Sequence, residues 1–258
     1  MAETAIQRER ATSIGVGALS LAAGFVAWWA LATFSEIPSY VLPTPGEVWR
    51  VGAQLSASGS LQTHTLQTLA EIGQGAVIGV STGIVLSILF IKIPLVERLL
   101  MPVVVVLQVT PKISIAPLIV LWLGLGIGSK VALVALVTFY PVLINLVSRL
   151  QGLPTAYNDL ATVLNMSTVK KALTIDFPYA MPALMTGLKL GVLQAVTAAV
   201  IGEYIGATAG LGFLQKQAQD NDQVSVVLLA LLILSLLGWA LYTIVGFIET
   251  RTKRRFGS

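Results

Sequence analysis

Long apolar runs separated by short polar segments dominate the chain, and their length is what identifies them. A bilayer core about 30 Å thick takes roughly 20 apolar residues in helix. Six runs meet that length, near 13–34, 67–90, 99–124, 130–148, 180–202 and 225–247. The pattern predicts an all-α membrane protein with six transmembrane helices. The third run is the least regular, because Pro102, Pro111 and Pro117 interrupt its backbone hydrogen bonds and kink or break a helix. At membrane depth such a break is tolerated only where neighbours or a watery cavity satisfy the freed groups. The first run follows Arg8 and Arg10 as a secretory leader would. Its length of about 22 residues exceeds the roughly 7 to 15 of a leader's apolar region, so it is read as a retained first helix.

Composition agrees with that reading. The 258 residues are 55% hydrophobic and only 11% charged, whereas a soluble domain carries about 25% charged residues. With no cysteine and one histidine, His64, the chain has no material for disulfides, thiolate chemistry or a His/Cys metal site. The net charge of +4 does not point to nucleic acid, because the basic residues lie between and beyond the apolar runs and therefore report topology. With the N-terminus inside, the cytoplasmic set is Arg8, Arg10, Lys92, Arg98, Arg149, Lys170, Lys171, Arg251, Lys253, Arg254 and Arg255, against Arg50, Lys130 and Lys216 outside. Both termini are then cytoplasmic. Residues 1–12 form an N-terminal tail, 13–248 one membrane domain, and 249–258 a basic tail suited to the anionic inner leaflet.

Three connections are long enough to carry function. Residues 35–66, outside, contain Leu42-Pro43-Thr44-Pro45, a rigid lead into a short amphipathic piece; residues 203–224, also outside, are rich in Gly, Gln and Asp. Residues 149–178 make the longest cytoplasmic loop. Within it Leu160, Ala161, Val163 and Leu164 make one apolar helix face after Thr155 as N-cap, and such a short helix suits another protein's groove. Asn165 follows, one of the few residues with a side chain that readily adopts a left-handed backbone and so ends a helix as glycine would.

This loop resembles the "EAA" loop of bacterial binding-protein-dependent importer permeases, which runs Glu-Ala-Ala, three residues, Gly, nine residues, Ile, any residue, Leu, Pro. Asp159, Leu160, Ala161, Asn165, Ile175, Phe177 and Pro178 reproduce its spacing, with Ala161, Ile175 and Pro178 matching in type. Further matches are Leu42-Pro43-Thr44-Pro45 with Val48, Thr110-Pro111-Lys112-Ile113, Ala116-Pro117-Leu118, Leu121-Trp122-Leu123-Gly124-Leu125-Gly126, and Glu203-Tyr204-Ile205-Gly206 with Gly210-Leu211-Gly212. These look like the nitrate/sulfonate/taurine branch of the family and cover roughly residues 40 to 250. The resemblance implies the type I ABC importer permease fold in the inner membrane of a bacterium, with Asp159, Leu160, Ala161, Leu164, Asn165, Ile175 and Pro178 at the contact with a cytoplasmic ATPase dimer. It further implies a second permease copy, most simply a homodimer, and a periplasmic or tethered substrate-binding protein. ATP and Mg²⁺ belong to the ATPase, and no cofactor is expected in this chain.

Charges within the runs are the candidate pathway residues. Lys112 lies in the broken third run, where an uncompensated ammonium costs at least about 2.5 kcal/mol. Lys189 and Glu203 stand two heptads apart in the fifth, with Val196 between them, so that one face from Lys189 through Val196 to Glu203 lines a path for a small anion. An alternative set of roles is open: Lys112 fixes the kinked backbone, Lys189 snorkels to the inner headgroups, and Glu203 caps or pairs at the outer rim. His64, at the start of the second span, is read as structural. The glycines of Gly124–Lys130 lack the Gly-Lys-Ser/Thr ending of a phosphate loop and make a tight turn. No catalytic constellation appears in the runs, so an intramembrane enzyme is disfavoured. A secondary transporter would show more spans and internal repeats. The expected solute is nitrate, a sulfonate or taurine, with a vitamin or pyrimidine precursor or an aromatic acid as the alternative.

Overall fold

The computed structural model describes residues 2–256, with side chains from 16 to 252 apart from 18. The charges Arg8, Arg10, Lys253, Arg254 and Arg255, which entered the orientation argument, lie outside the described side chains. Among the described residues eleven α-helices follow one another: α1 (Ala2–Phe34), α2 (Pro45–Ala57), α3 (Ser60–Lys92), α4 (Pro94–Val109), α5 (Lys112–Leu123), α6 (Ile127–Gln151), α7 (Thr155–Val163), α8 (Thr168–Lys171), α9 (Phe177–Gly206), α10 (Leu211–Asp220) and α11 (Val224–Phe256). A π-helical turn, Ala172–Asp176, joins α8 to α9.

Among the described residues, four helical stretches are long and apolar enough to cross a membrane: Ser60–Lys92, Ile127–Gln151, Thr168–Gly206 and Val224–Thr252. The third apolar run departs from the single span expected of it. It begins earlier, at Pro94, and α4 and α5 meet at 103°. Pro111 forces Thr110 out of the helical region to ψ 129°, and α5 restarts at Lys112 with no N–H from Pro111 to satisfy. The pair is either one broken span or a re-entrant loop, and counts as a fifth apolar crossing if taken together. Leu19–Phe34 is a shorter apolar helix.

The core is built around α6, which packs along both α3 and α9. Its apolar stretch is 61% buried, against 17% for that of α11. Glycines permit the close approach. A Cβ at Gly79 on α3 would lie 2.7 Å from the Ala135 carbonyl, and one at Gly187 on α9 would lie 2.7 Å from that of Pro141. Backbone therefore rests on backbone on both sides of α6, which is how helices associate where lipid removes the hydrophobic drive. At one end Val51, Leu55, Leu61, Leu214, Ala218 and Val226 pack α2, α3, α10 and α11 together. The helix α2 is the expected amphipathic piece. A full capping box starts it: Thr44 N–H donates to Glu47 Oε2 at 2.9 Å and Glu47 N–H to Thr44 Oγ1 at 3.3 Å. The sequence did not single out α10, a ten-residue helix within the stretch 203–224 read as an outer connection.

Candidate coupling surface and buried charge cluster

The apolar face of α7 splits in two. Ala161 turns inward and is 6% exposed, while Leu160, Val163 and Leu164 stand out at 48%, 78% and 57%. Such apolar side chains on a nine-residue helix are left for something other than this chain. Pro154, not Thr155, occupies the N-cap, its carbonyl accepting from Tyr157 N–H at 3.0 Å. Proline's fixed φ and missing N–H place it naturally just ahead of the first turn, and Thr155 becomes the first helical residue. The other end closes as expected of Asn165, which adopts φ 45°. Met166 N–H reaches Ala161 O at 2.9 Å and Asn165 N–H reaches Thr162 O at 3.0 Å, the paired bonds of a Schellman ending.

The root of the loop is clamped to the bundle through Tyr179. The Arg149 guanidinium lies 4.0 Å from the centre of the Tyr179 ring, and its Nε donates to the Tyr179 carbonyl at 3.1 Å. The Tyr179 hydroxyl in turn donates to Gly152 O at 2.9 Å. Ile175, on the π turn, is buried. With Pro178, Leu160 and Leu164 it borders a cleft of about 430 Å³ between α7 and the start of α9. Asp159 is exposed on α7. The seven loop residues singled out in the sequence are thus gathered at one end of the molecule.

The intramembrane candidates are not gathered in the same way. Lys112 opens α5 at the break and its Nζ donates to Gln108 O, at the end of α4. Lys189 faces α11, where it pairs with Glu249 at 3.2 Å and lies 4.4 Å from the centre of the Tyr242 ring. Val196 lines an open cleft of about 800 Å³ between α9 and α11. Glu203 turns away from that cleft, toward α3 and α10, and is 1% exposed. The drift of an ideal helix against a strict seven-residue repeat is only about 20° per heptad; hydrogen bonds from Thr68 and from Gly212 N–H hold the Glu203 carboxyl on the side of α3 and α10.

Around Glu203 lies a cluster that linear reading missed. Thr68 donates to Glu203 Oε1 at 2.6 Å and accepts from Leu211 N–H at 2.8 Å, while Gly212 N–H donates to Glu203 Oε2. A Cβ at Gly210, which adopts φ 122°, would collide with the Glu203 carboxyl, so only glycine fits there. His64 Nδ1 accepts from Gly210 N–H at 3.0 Å. Lys130, counted from sequence as an outside charge, is 1% exposed. Its Nζ donates to Leu125 O at 2.6 Å, Gly126 O at 3.1 Å and Gly206 O, neutralising the negative end of α9. Glu71 is also 1% exposed. An acid inside an apolar run is a signal in itself, but nothing in linear order joins α3 to residues 135 positions on.

Among the described residues no group of three or more His, Cys, Asp or Glu side chains is placed to hold a metal ion.

Comparison with known proteins gives a consistent picture. Residues 75–255 match the family described as binding-protein-dependent transport system inner membrane component. The chain is 33% identical over 224 residues to the riboflavin transport system permease protein RibX of Chloroflexus aurantiacus, covering 87% of this chain and 84% of that one. It is 28% identical over 241 residues to the taurine transport system permease protein TauC of Escherichia coli, covering 92% and 86%. Among solved structures, an amino acid ABC transporter crystallised with histidines aligns with a TM-score of 0.63 at 14% identity, over 77% of this chain and 97% of that one.

Proposed function

The chain belongs to the family of binding-protein-dependent transport system inner membrane components, and from that premise we propose that it forms the translocation path for a small anionic solute in an ATP-driven importer. The observation that carries this reading is α7, whose Leu160, Val163 and Leu164 project from the bundle with a closed, well-formed helix end at Asn165. A helix of this kind is a docking element for a groove on a partner, here the cytoplasmic ATPase dimer that binds ATP and Mg²⁺. In this reading α1 is the first of six spans, the bent α4–α5 pair the third, and both termini are cytoplasmic. A second copy of the chain completes the path, and a binding protein delivers solute on the side away from α7. ATP binding draws the two α7 helices together and opens the path to that side; hydrolysis returns it.

An anionic solute such as nitrate, a sulfonate or taurine fits Lys112, which sits at the start of a broken helix where the positive end of the helix dipole adds to its charge. A second reading, a riboflavin-like or other vitamin-precursor solute, is favoured by the higher identity to the riboflavin permease. Proteoliposomes holding the chain with its ATPase and binding protein separate the two. Anion uptake that falls in Lys112→Met supports the first reading; uptake of a neutral ring compound with unaltered kinetics in that variant supports the second. Uptake that persists without the ATPase overturns both in favour of a secondary transporter.

A further inference from the structure

Glu71 and Glu203 meet inside the bundle with fewer hydrogens between them than two carboxylates need. Glu203 has donors for both oxygens, from Thr68 and from Gly212 N–H. Glu71 does not. Its Oε1 accepts from the Gln67 amide at 2.9 Å, but Oε2 is buried with no donor beside it. The group within hydrogen-bonding reach is the Glu203 carboxyl, and a carboxylate has no hydrogen to give.

The charged and titratable neighbours do not fill the gap. From α6, Lys130 directs its ammonium to three backbone carbonyls. From α3, His64 offers Nδ1 as an acceptor to Gly210 N–H, and α10 contributes the Leu211 and Gly212 amides. Two carboxylates against one ammonium leave one negative charge unbalanced in a buried site, and such a charge is neutralised in place. A bound metal cation is a poor solution, since hard cations take about six or more oxygen ligands and one oxygen here is unengaged. A proton needs a single acceptor.

We propose that Glu71 and Glu203 hold one proton between them, forming a buried acid–carboxylate pair that fastens α3 to α9 and to the start of α10. Glu71 is the acid, because its Oε2 lacks a donor; Glu203 is the carboxylate, because its two oxygens already accept. The site stands on the geometry of this chain and is independent of the transported solute.

Infrared spectroscopy of the full-length chain in lipid nanodiscs tests it, because a protonated carboxyl has a C=O stretch that a carboxylate lacks. The wild type at neutral pH shows a buried-acid band. Glu71→Gln removes it with an unchanged thermal midpoint, the amide being the neutral isostere of the acid. Glu203→Gln also removes it, because the remaining charge moves onto Glu71. Glu71→Asp, a second route if the amide variants do not fold, shifts the band. Absence of the band in the wild type, or a band that none of the three substitutions alters, overturns the proposal. A thermal midpoint raised by sodium chloride but not by choline chloride also overturns it, assigning the site to a metal cation.

Discussion

Asn165 is where a single dihedral angle decides how α7 ends. At φ 45° a glycine fits without strain, whereas a β-branched residue is disfavoured by about 1–2 kcal/mol. Asn165→Gly should therefore keep uptake coupled to ATP hydrolysis. Asn165→Val should lower the ratio of solute moved to ATP consumed, measured together in proteoliposomes; full coupling in the valine variant would sink this account of the turn. Lys130 makes the opposite case. Replacing it with Met leaves the carbonyls of Leu125, Gly126 and Gly206 without their donor and the one charge of the Glu71–Glu203 pair without a counter-charge, and breaking a buried charged contact of this kind costs about 3–5 kcal/mol. The expected result is a fall of several degrees in the thermal midpoint, whatever the effect on uptake. Asn165 was legible in the sequence because its signal is local, a left-handed-tolerant residue after an apolar turn. Lys130 was not, because its third carbonyl partner lies 76 positions away and in linear order it looks like an ordinary loop charge.

Helices were legible by length wherever the apolar run was unbroken. The four long apolar helices fall on runs read from hydropathy alone, and the short helix in the 149–178 loop was read from its apolar face. What hydropathy does not record is contact distance. The glycines that let α3 and α9 sit backbone to backbone on α6 look, in a linear chain, like any others in an apolar run. Gly79→Leu should force the α3–α6 pair apart, at a cost of about 1–3 kcal/mol or more for overpacking. The corresponding change at Gly73, where a Cβ meets nothing within 4 Å, should be nearly silent; equal effects on the unfolding midpoint at the two positions would contradict this packing. The 103° turn between α4 and α5 was foreseen only as an interruption, since three prolines announce a break but not its direction.

Across the whole molecule, charge asymmetry predicts an orientation, and the absence of cysteine makes it easy to test. Single cysteines at Ser58, between α2 and α3, and at Val163, on α7, should label differently in intact cells. A membrane-impermeant thiol reagent should reach Ser58→Cys and spare Val163→Cys, and the reverse pattern would invert the topology. A broader consequence follows from the bare backbone contacts along α6. Surfaces held that closely cannot slide by small increments, so α3, α6 and α9 behave as one stiff lever, with α7 at its handle. In the docking role proposed for α7, displacement at the handle reaches the far tip through this lever, and bending is left to the α4–α5 elbow and the loosely covered α11. Spin-label distances between α3 and α9 should hold constant through the nucleotide cycle while those from α4 to α6 change.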